Sequence, residues 1–217
     1  MISSYVKDYG TWEQDLLNET GLILKEKPSL TFVDIGCNIG TFTLFNAKLG
    51  VRVICVDILK AALELVHRSL ILGKLEENVT LLLNAVSDKR EIVKINIVSD
   101  NPGGSYIEHN KTGDNYASAL LLDDLLPVIG PGPVFLKLDI EGNEHKALKG
   151  GSKFFQVLDI QYIMMEWMLH RHNPTGREII QFLLRNGMLP YENFSRNTPL
   201  DLTRPYQWPD NIFWRKR

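Results

Sequence analysis

The stretch LTFVDIGCNIG, residues 30–40, constrains the fold more than any other part of this chain. An apolar run ends in an acid, turns through two glycines and leads into the apolar-periodic segment TFTLFNAKLG. This pattern predicts a buried strand, a tight glycine loop and a helix, an arrangement that aims backbone N–H groups and a helix N-terminus at a ligand. The dinucleotide-binding spacing G-x-G-x-x-G is absent, because Asn38 and Thr41 occupy its second and third glycine positions.

The loop has a spacing of its own. Asp34, Gly36 and Gly40 form the pattern D-x-G-x-x-x-G, which resembles motif I of the class I S-adenosylmethionine-dependent methyltransferases. In that interpretation Gly36 lets the backbone approach the methionine part of the cofactor, and Gly40 lets the helix begin without a Cβ against the ligand. Asp34 would lie near the cofactor ammonium or order the loop amides. Glycine and aspartate are also common in any turn that joins a strand to a helix.

A second apolar strand that ends in an acid, RVICVD at residues 52–57, follows after the length of one helix. In Rossmann-like sites an acid about twenty residues beyond the glycine loop accepts hydrogen bonds from ribose hydroxyls. Asp57 has that position. The same carboxylate is also placed to cap the predicted helix KAALELVHRSL, and the two roles are compatible.

Composition limits the class of protein. A chain of 217 residues is long enough for one α/β domain with a full core. The formal net charge of -2 gives no electrostatic reason to expect a nucleic-acid partner. The two cysteines, Cys37 and Cys55, lie at positions typical of small buried hydrophobes rather than of a disulfide, which favours a reducing compartment.

Targeting and membrane signals are missing from the sequence. The first thirty residues lack a charged start followed by an apolar segment, which a signal peptide needs. The apolar runs all fall short of the roughly eighteen residues that a spanning helix needs. We therefore expect a cytoplasmic protein with no membrane partner.

Strand and helix patterns alternate along the chain, which predicts an α/β fold. We expect a Rossmann-like three-layer α/β/α sandwich with a mostly parallel seven-stranded sheet and an antiparallel last strand. A single domain is expected over residues 1–217, with residues 1–29 as an N-terminal helical cover and 30–217 as the catalytic core. The predicted strands are 30–35, 52–56, 79–84, 134–138, 162–165, 188–191 and 211–214, with an extra strand at 92–98, and the predicted helices are 13–24, 41–49, 60–72, 144–149 and 177–186.

Residues 100–115 form the longest predicted loop and are rich in Asn, Gly, Pro and Ser. A loop of this length in a compact domain is usually functional or mobile. We expect it to be a lid over the substrate.

Polar side chains stand where the predicted strands end. Ligands of open α/β sheets bind at the carboxyl ends of the parallel strands. We therefore expect one rim of the sheet to carry the polar residues Asp34, Asp57, Asn84, Asp139 and Glu166.

The segment FLKLDIEGNEHKALKGG, residues 135–151, carries the strongest family resemblance. It resembles the K-x-D-x-E-G-x-E-x-x-x-L-x-G signature of the FkbM methyltransferases, a class I family whose members O-methylate sugars, polyketides and other hydroxylated metabolites. The segments NAVSDKRE, ASALLLDDLL and NIFWRK are also similar to landmarks of that family. One feature departs from it, because the family usually has glutamate and proline after the second strand and this chain has Asp57-Ile58.

The resemblance implies a methyltransferase that uses S-adenosylmethionine and acts on a hydroxyl of a sugar or of a natural-product-like small molecule. The implied cofactor-binding residues are Asp34, Gly36, Cys37, Asn38, Gly40, Thr41, Asp57, Ala85, Val86, Ser87 and Asp139. The catalytic candidates are Asp139, Glu141, Lys137 and Glu166.

Methyl transfer to an alcohol sets the chemistry that these residues must perform. It is an in-line displacement, to which positioning alone contributes about 7 to 11 kcal/mol. A protonated alcohol also needs a base, or a metal that acidifies it. Asp139 is our first candidate for the base because it ends the fourth strand, and Glu141 and Glu166 come next. Lys137 lies on the same strand face as Asp139. Lys137 and Glu144 also have purely structural interpretations, as a neutralising cation and as a helix cap.

Further candidates and other functions stay open at this point. His145, His170 and His172 are possible contacts for the acceptor. A divalent metal held by carboxylates and a histidine is compatible with the residues, but their spacing does not demand one. A non-catalytic S-adenosylmethionine-binding module is an alternative, and a nucleotide-dependent oxidoreductase is a weaker one because the dinucleotide spacing is absent. The sequence gives no indication of the oligomeric state.

Overall fold

The computed structural model describes residues 12–109 and 114–217. The α-helices in these ranges are α1 (Gln14–Glu26), α2 (Thr41–Lys48), α3 (Lys60–Gly73), α4 (Leu126–Ile129), α5 (Glu144–Lys149), α6 (Ser152–Val157) and α7 (Pro174–Arg185). The strands are β1 (Thr31–Ile35), β2 (Val53–Asp57), β3 (Val79–Leu83), β4 (Ala85–Val86), β5 (Glu91–Asn96), β6 (Tyr106–Glu108), β7 (Tyr116–Leu120), β8 (Pro133–Leu138), β9 (Asp159–Glu166), β10 (Met188–Tyr191) and β11 (Asn211–Lys216).

A seven-stranded sheet with the order β10-β11-β9-β8-β1-β2-β3 forms the centre of the fold. The neighbours from β9 to β3 all pair in parallel. Only β11 runs against its neighbours, since it is antiparallel to both β9 and β10. The predicted mostly parallel sheet with an antiparallel last strand is therefore confirmed.

Two hydrophobic clusters cover the two faces of this sheet. Strand side chains alternate between them, so that Phe32 packs with α1, α2 and α3, whereas Val33 and Ile35 pack with α4 to α7. The side chains of both clusters are almost completely removed from solvent. Burying one such side chain stabilises the fold by about 1.5 to 3 kcal/mol. The predicted three-layer α/β/α arrangement is confirmed.

A second sheet of four strands, in the order β4-β7-β5-β6, lies beside the main one. The sequence indicated only β5, as an extra strand at 92–98. Residues 100–115 are not one continuous loop, because they contain a 3₁₀ turn at Pro102–Gly104 and the strand β6, which pairs antiparallel with β5. The sequence did not reveal β6 because three residues are too few to show the alternation of apolar and polar side chains that marks a strand. Its central residue, Ile107, is buried. Positions 110–113 of the predicted loop lie outside the described residues.

Helix boundaries differ from the prediction where caps were misjudged. Helix α7 begins at Pro174 rather than at 177, because the Asn173 side chain accepts a hydrogen bond from the Thr175 N–H and proline suits a first turn. Helix α6 was not predicted, since the two preceding glycines were interpreted as the end of a helix. Of the predicted N-terminal cover, α1 is present, and residues 1–11 lie outside the described ranges. In the described part of the chain, no helix has both the length and the apolarity needed to cross a membrane.

Candidate active site

The glycine loop after β1 packs directly against the end of β8. Gly36 has a φ of 84°, and a Cβ at this position would lie 1.7 Å from the carbonyl oxygen of Asp139. The Gly36 N–H donates to Val56 and the Asp139 N–H donates to Ile35, so the ends of β1, β2 and β8 are tied together. Glycine at position 36 is therefore required by the close approach of two backbone segments.

The contacts of Gly40 give a reason for glycine at this position that the sequence did not indicate. Its φ is also 84°, but a Cβ there would meet the Val66 side chain of α3 at 2.7 Å. Gly40 thus allows α2 to begin against α3. The expectation that it keeps a Cβ away from the ligand finds no support in these contacts.

Asp57 ends β2 with its carboxylate fixed by two backbone N–H groups. One oxygen accepts from Asn38 at 2.8 Å and the other from Leu59 at 2.8 Å. Leu59 is the N-cap residue of α3, so Asp57 orders the turn before the helix instead of capping it. Burial raises the pKa of the Asp57 carboxyl, and the two N–H donors oppose that shift. Each oxygen keeps a lone pair for a ligand hydroxyl.

Lys137 is a buried cation at the centre of the rim. Its ammonium lies 3.2 Å from Asp139 Oδ2 and 3.5 Å from Asp34 Oδ1, and it donates to the Gly36 carbonyl oxygen at 3.1 Å. Burial would lower the pKa of Lys137, but the carboxylates of Asp139 and Asp34 outweigh it and hold the pKa above its ordinary value. Lys137 therefore stays charged and orients Asp139, which supports the neutralising role considered for it.

Asp139 and three further acidic residues share one cavity. Side chains of Glu13, Asp139, Glu141 and Glu166 all line the same cavity. Burial, and then the negative charge of Asp139, raise the pKa of Glu141 to about 7 and that of Glu166 to about 8. Glu166 Oε2 is buried and has no hydrogen-bond partner among the described residues. Such shifted carboxyls are typical of sites that transfer protons.

The cavity itself is a cleft of about 1050 Å³, including its open mouth. It runs along the carboxyl ends of β1, β2, β8 and β9, where the rule for parallel sheets places ligands. Its walls are formed by residues from the N-terminal segment, the strand ends and the turn before β6: Trp12, Glu13, Ile35, Gly36, Asn38, Val56, Asp57, Ile58, Leu59, Asn84, Ala85, Val86, Asn101, Pro102, Gly103, Gly104, Ser105, Tyr106, Ile107, Asp139, Ile140, Glu141, Asn143 and Glu166.

The structure brings most of the predicted site residues to this cavity, but not all. Those that line it are Gly36, Asn38, Asp57, Ala85, Val86, Asp139, Glu141 and Glu166. The predicted residues that are not part of the lining are Asp34, Cys37, Gly40, Thr41, Ser87 and Lys137.

For two of these residues, the packing explains why they do not reach the cavity. Asp34 is fully buried, accepts a hydrogen bond from the Thr43 hydroxyl at 2.7 Å and faces Lys137. Asp34 therefore helps to hold Lys137 in place and is not itself part of the cavity lining. Ser87 is also fully buried, and its carbonyl oxygen lies so close to Gly150 that a Cβ there would approach it to 2.2 Å.

The histidines do not line the cavity. His170 is 2% exposed and lies between Glu144 and Thr175, and the Nδ1 of His145 lies 3.1 Å from the Gly142 carbonyl oxygen. His172 is exposed. Within residues 12–109 and 114–217, no group of three potential ligands is arranged to hold a metal ion.

Sequence reasoning missed Trp12, Glu13 and Asn143 as cavity residues. Trp12 and Glu13 precede α1 and are far from the motifs along the chain, so only the folded path of the N-terminal segment reveals them. Asn143 lies within the segment 135–151 that resembles the family signature. Its position between Glu141 and Glu144 was the feature of the sequence that could have indicated it. The segment 101–107 also lines the cavity.

We expect the segment 99–109 to exchange its amide hydrogens faster than β1 and β8 in the free protein, and to become protected when S-adenosylhomocysteine binds. Its 3₁₀ turn is built from proline and glycine and contributes few buried side chains. Hydrogen exchange followed by mass spectrometry measures this. Equal protection of this segment and of the sheet, with and without ligand, would contradict the lid.

Comparison with known proteins gives the family. A family model described as the Methyltransferase FkbM domain matches residues 34–189. The chain belongs to the FkbM methyltransferase family. The match contains the rim residues of β1, β2, β8 and β9, whereas Trp12 and Glu13 lie outside it.

Solved structures share the fold of this FkbM chain at low sequence identity. The FkbM methyltransferase of Methylobacillus flagellatus KT has a TM-score of 0.54 and 16% identity, over 86% of this chain and 43% of its own. Magnesium protoporphyrin IX methyltransferase from Synechocystis PCC 6803, solved with bound SAM, has a TM-score of 0.51 and 14% identity, over 94% and 79%. A SAM-dependent O-methyltransferase from Thermotoga maritima has a TM-score of 0.50 and 14% identity, over 100% and 71%.

These likenesses confirm the Rossmann-like methyltransferase fold. The chain spans less than half of the Methylobacillus protein, 43% of its length. The search among curated proteins finds no match.

Proposed function

We propose that this FkbM-family protein transfers a methyl group from S-adenosylmethionine to a hydroxyl of a sugar or a natural-product-like small molecule. The observation that carries the proposal is the convergence of Asp139, Glu141 and Glu166 on the cavity beside Gly36. These carboxyls supply a base at the carboxyl end of the parallel strands, where ligands of such sheets bind, and this supports the proposal.

The residues in one half of the cavity, from Gly36 to Val86, fit the cofactor. The cleft extends from Gly36 past Asp57 to Ala85 and Val86, which follow the ends of three adjacent strands. Asp57 offers two oxygens to a ribose, and the small Ala85 and apolar Val86 suit an adenine face. When bound, S-adenosylmethionine supplies an electrophilic methyl group on a positively charged sulfur.

The residues in the other half of the cavity, Asp139, Glu141 and Glu166, bind the acceptor and remove its proton. Asp139 is held 3.2 Å from the Lys137 ammonium, and 38% of its side chain is exposed toward the cleft. We infer that it accepts the proton of the acceptor hydroxyl. Glu141 and Glu166 stand beside it as hydrogen-bond partners of the acceptor. The turn at 102–104 limits the access of water to this half.

The charge of the cavity limits which acceptors it takes. Glu13, Asp57, Asp139, Glu141 and Glu166 line it, and the described lining contains no lysine, arginine or histidine. Lys137 offsets only part of this charge, since its single ammonium is already paired with Asp139 and with the buried Asp34. An acceptor that carries a phosphate would meet repulsion from the carboxylate of Asp139, and from Glu141 and Glu166 once these lose their protons.

We therefore expect a neutral glycoside to be methylated at least ~10-fold more efficiently than its phosphate ester, as kcat/KM, with the difference shrinking at high salt. Competition between matched pairs of acceptors at two ionic strengths measures this. A preference for the phosphorylated member would contradict the proposed neutral acceptor.

The pH dependence follows from the raised pKa values. Glu141 and Glu166 keep their protons up to about pH 7 and 8, so we expect the transfer rate to rise through this range as the two side chains ionise and bind the hydroxyls of the acceptor more strongly. Stability should change in the opposite direction. A carboxyl whose pKa is raised by folding contributes stability below its ordinary pKa of 4.5 and loses it as the pH rises through the folded value. Thermal unfolding of the wild type and of Glu166→Gln between pH 5 and 9 tests this, since the variant should show the smaller decline.

The experiment that tests the function is methyl transfer from labelled S-adenosylmethionine onto a panel of glycans and hydroxylated metabolites, with calorimetric binding of S-adenosylhomocysteine in parallel. Transfer to a hydroxyl supports the proposal. Cofactor binding without transfer to any member would favour a non-catalytic binding module. Binding of NADH in place of S-adenosylhomocysteine would favour an oxidoreductase, and transfer to a nitrogen or carbon would overturn O-methylation.

A further inference from the structure

A buried polar network lies directly behind the wall of the cavity and is not part of its lining. Glu144 is fully buried and His170 is 2% exposed. Glu144 Oε1 accepts a hydrogen bond from the Ile140 N–H at 2.7 Å, and Glu144 Oε2 lies 2.7 Å from His170 Nε2. The other ring nitrogen of His170 lies 2.7 Å from the Thr175 hydroxyl. Both carboxylate oxygens and both ring nitrogens are therefore engaged.

The backbone that this network holds is the one that carries the proposed catalytic acids. Ile140 stands between Asp139 and Glu141, and its N–H is the group that Glu144 binds. Glu141 has a φ of 53° and Gly142 one of 89°, so the chain reverses through left-handed conformations. For a residue with a side chain, this conformation costs about 1 to 2 kcal/mol. The surrounding contacts must offset that cost to keep Glu141 in the cavity wall.

The other end of the network is fixed by α7. Thr175 lies in the first turn of this helix, and a Cβ at the neighbouring Gly176 would approach the His170 carbonyl oxygen to 2.5 Å. The indole of Trp167, which is fully buried, lies against the His170 ring. His170 is thus clamped between α7 and the core, so it presents a fixed partner to Glu144.

We propose that Glu144 and His170 are positioning residues, which transmit the rigid packing of α7 to the Ile140 amide and so hold Asp139 and Glu141 in their catalytic geometry. Neither residue touches the cavity, so neither is a catalytic residue. The part of the inference that concerns rate rests on the proposed function, whereas the part that concerns the loop does not.

Glu144 also contributes charge to the same site. Its carboxylate helps to raise the pKa of both Glu141 and Glu166, after burial and the charge of Asp139, while Lys137 opposes these shifts. Removing this charge should therefore lower both pKa values. An amide in its place would keep the two hydrogen bonds, which separates the geometric effect from the electrostatic one.

The test compares Glu144→Gln and Glu144→Leu with Leu70→Ala, a core variant of α3 on the opposite face of the sheet that lowers stability without touching the network. The first readout is the exchange rate of the Ile140 amide hydrogen by NMR, which needs no substrate. Glu144→Leu should accelerate this exchange at least ~100-fold at conditions where each variant is fully folded, and Glu144→Gln by less than ~10-fold. The control should leave the Ile140 rate within ~3-fold of wild type.

The second readout is the pKa of Glu141 and Glu166, from ¹³C-labelled carboxyl groups, and the third is turnover of the acceptor found in the panel. We expect both Glu144 variants to lower the two pKa values, and Glu144→Leu alone to lower kcat at least ~10-fold with S-adenosylhomocysteine affinity within ~3-fold. Slow Ile140 exchange in Glu144→Leu, or rapid exchange with an unchanged kcat, would overturn the inference. If wild type turns over no acceptor, the proposed function fails, and the Ile140 exchange still decides whether the network holds the loop.

Discussion

Replacing Gly36 with alanine is expected to destabilise the protein by about 3 kcal/mol or more and to remove measurable binding of S-adenosylhomocysteine. The added Cβ would lie 1.7 Å from the Asp139 carbonyl oxygen, at a φ of 84°. Since that oxygen belongs to the backbone at the end of β8, no side-chain rotation relieves the clash. Relief requires β1 and β8 to separate at the rim, which displaces Asp139 and opens the cavity.

Gly50 offers a matched control for this variant. Its φ is 79°, close to that of Gly36, but a Cβ there would find no atom within 4 Å. Gly50→Ala should therefore show only the conformational cost of a left-handed alanine, about 1 to 2 kcal/mol, with the ligand affinity retained. Denaturant unfolding and calorimetry of both variants provide the measurements. Equal losses of stability and affinity would show that backbone conformation, rather than the contact with Asp139, explains the glycine at position 36.

The central sheet could be predicted because its signals are local. Each parallel strand is a short apolar run bounded by a polar residue, and the sequence places Asp34, Asp57, Asp139 and Glu166 at four of these ends. Parallel pairing then brings the ends together at one rim, as the register of β1 with β2 and β8 shows. Side-chain alternation also predicts that Lys137 and Asp139 share a face, and the structure places them 3.2 Å apart.

What could not be predicted depends on contacts between distant segments. The pairing of Lys137 with Asp34 follows from the register of β1 and β8, which no local pattern encodes. A Cβ at Gly40 would meet Val66, a residue of the next helix, and its motif position gave no indication of this neighbour. Strand β6 and the packing of Glu13 into the cavity likewise arise only when the chain is folded.

The second prediction concerns the role of Asp139 in the chemical step. Asp139 follows β8, the strand beside β1, and its carboxylate lies within the same cavity as Gly36 and next to the buried Lys137 ammonium. Asparagine keeps its shape and its ability to accept a hydrogen bond from Lys137, but it cannot take up a proton. We therefore expect Asp139→Asn to lower turnover about 100-fold or more, with S-adenosylhomocysteine affinity within ~3-fold of wild type.

The same substitution has a second consequence that separates a base from a structural residue. The charge of Asp139 helps to raise the pKa of Glu141 and Glu166, so its removal should move the pH profile of the remaining activity to lower pH. Asp159→Asn is the matched control, because Asp159 begins β9, at the end of the strands opposite to the cavity, and is paired with Lys216 at 2.8 Å. Its turnover should equal that of wild type. Wild-type turnover in Asp139→Asn would transfer the role of base to Glu141 or Glu166, and a loss of cofactor binding would place Asp139 in the binding site instead.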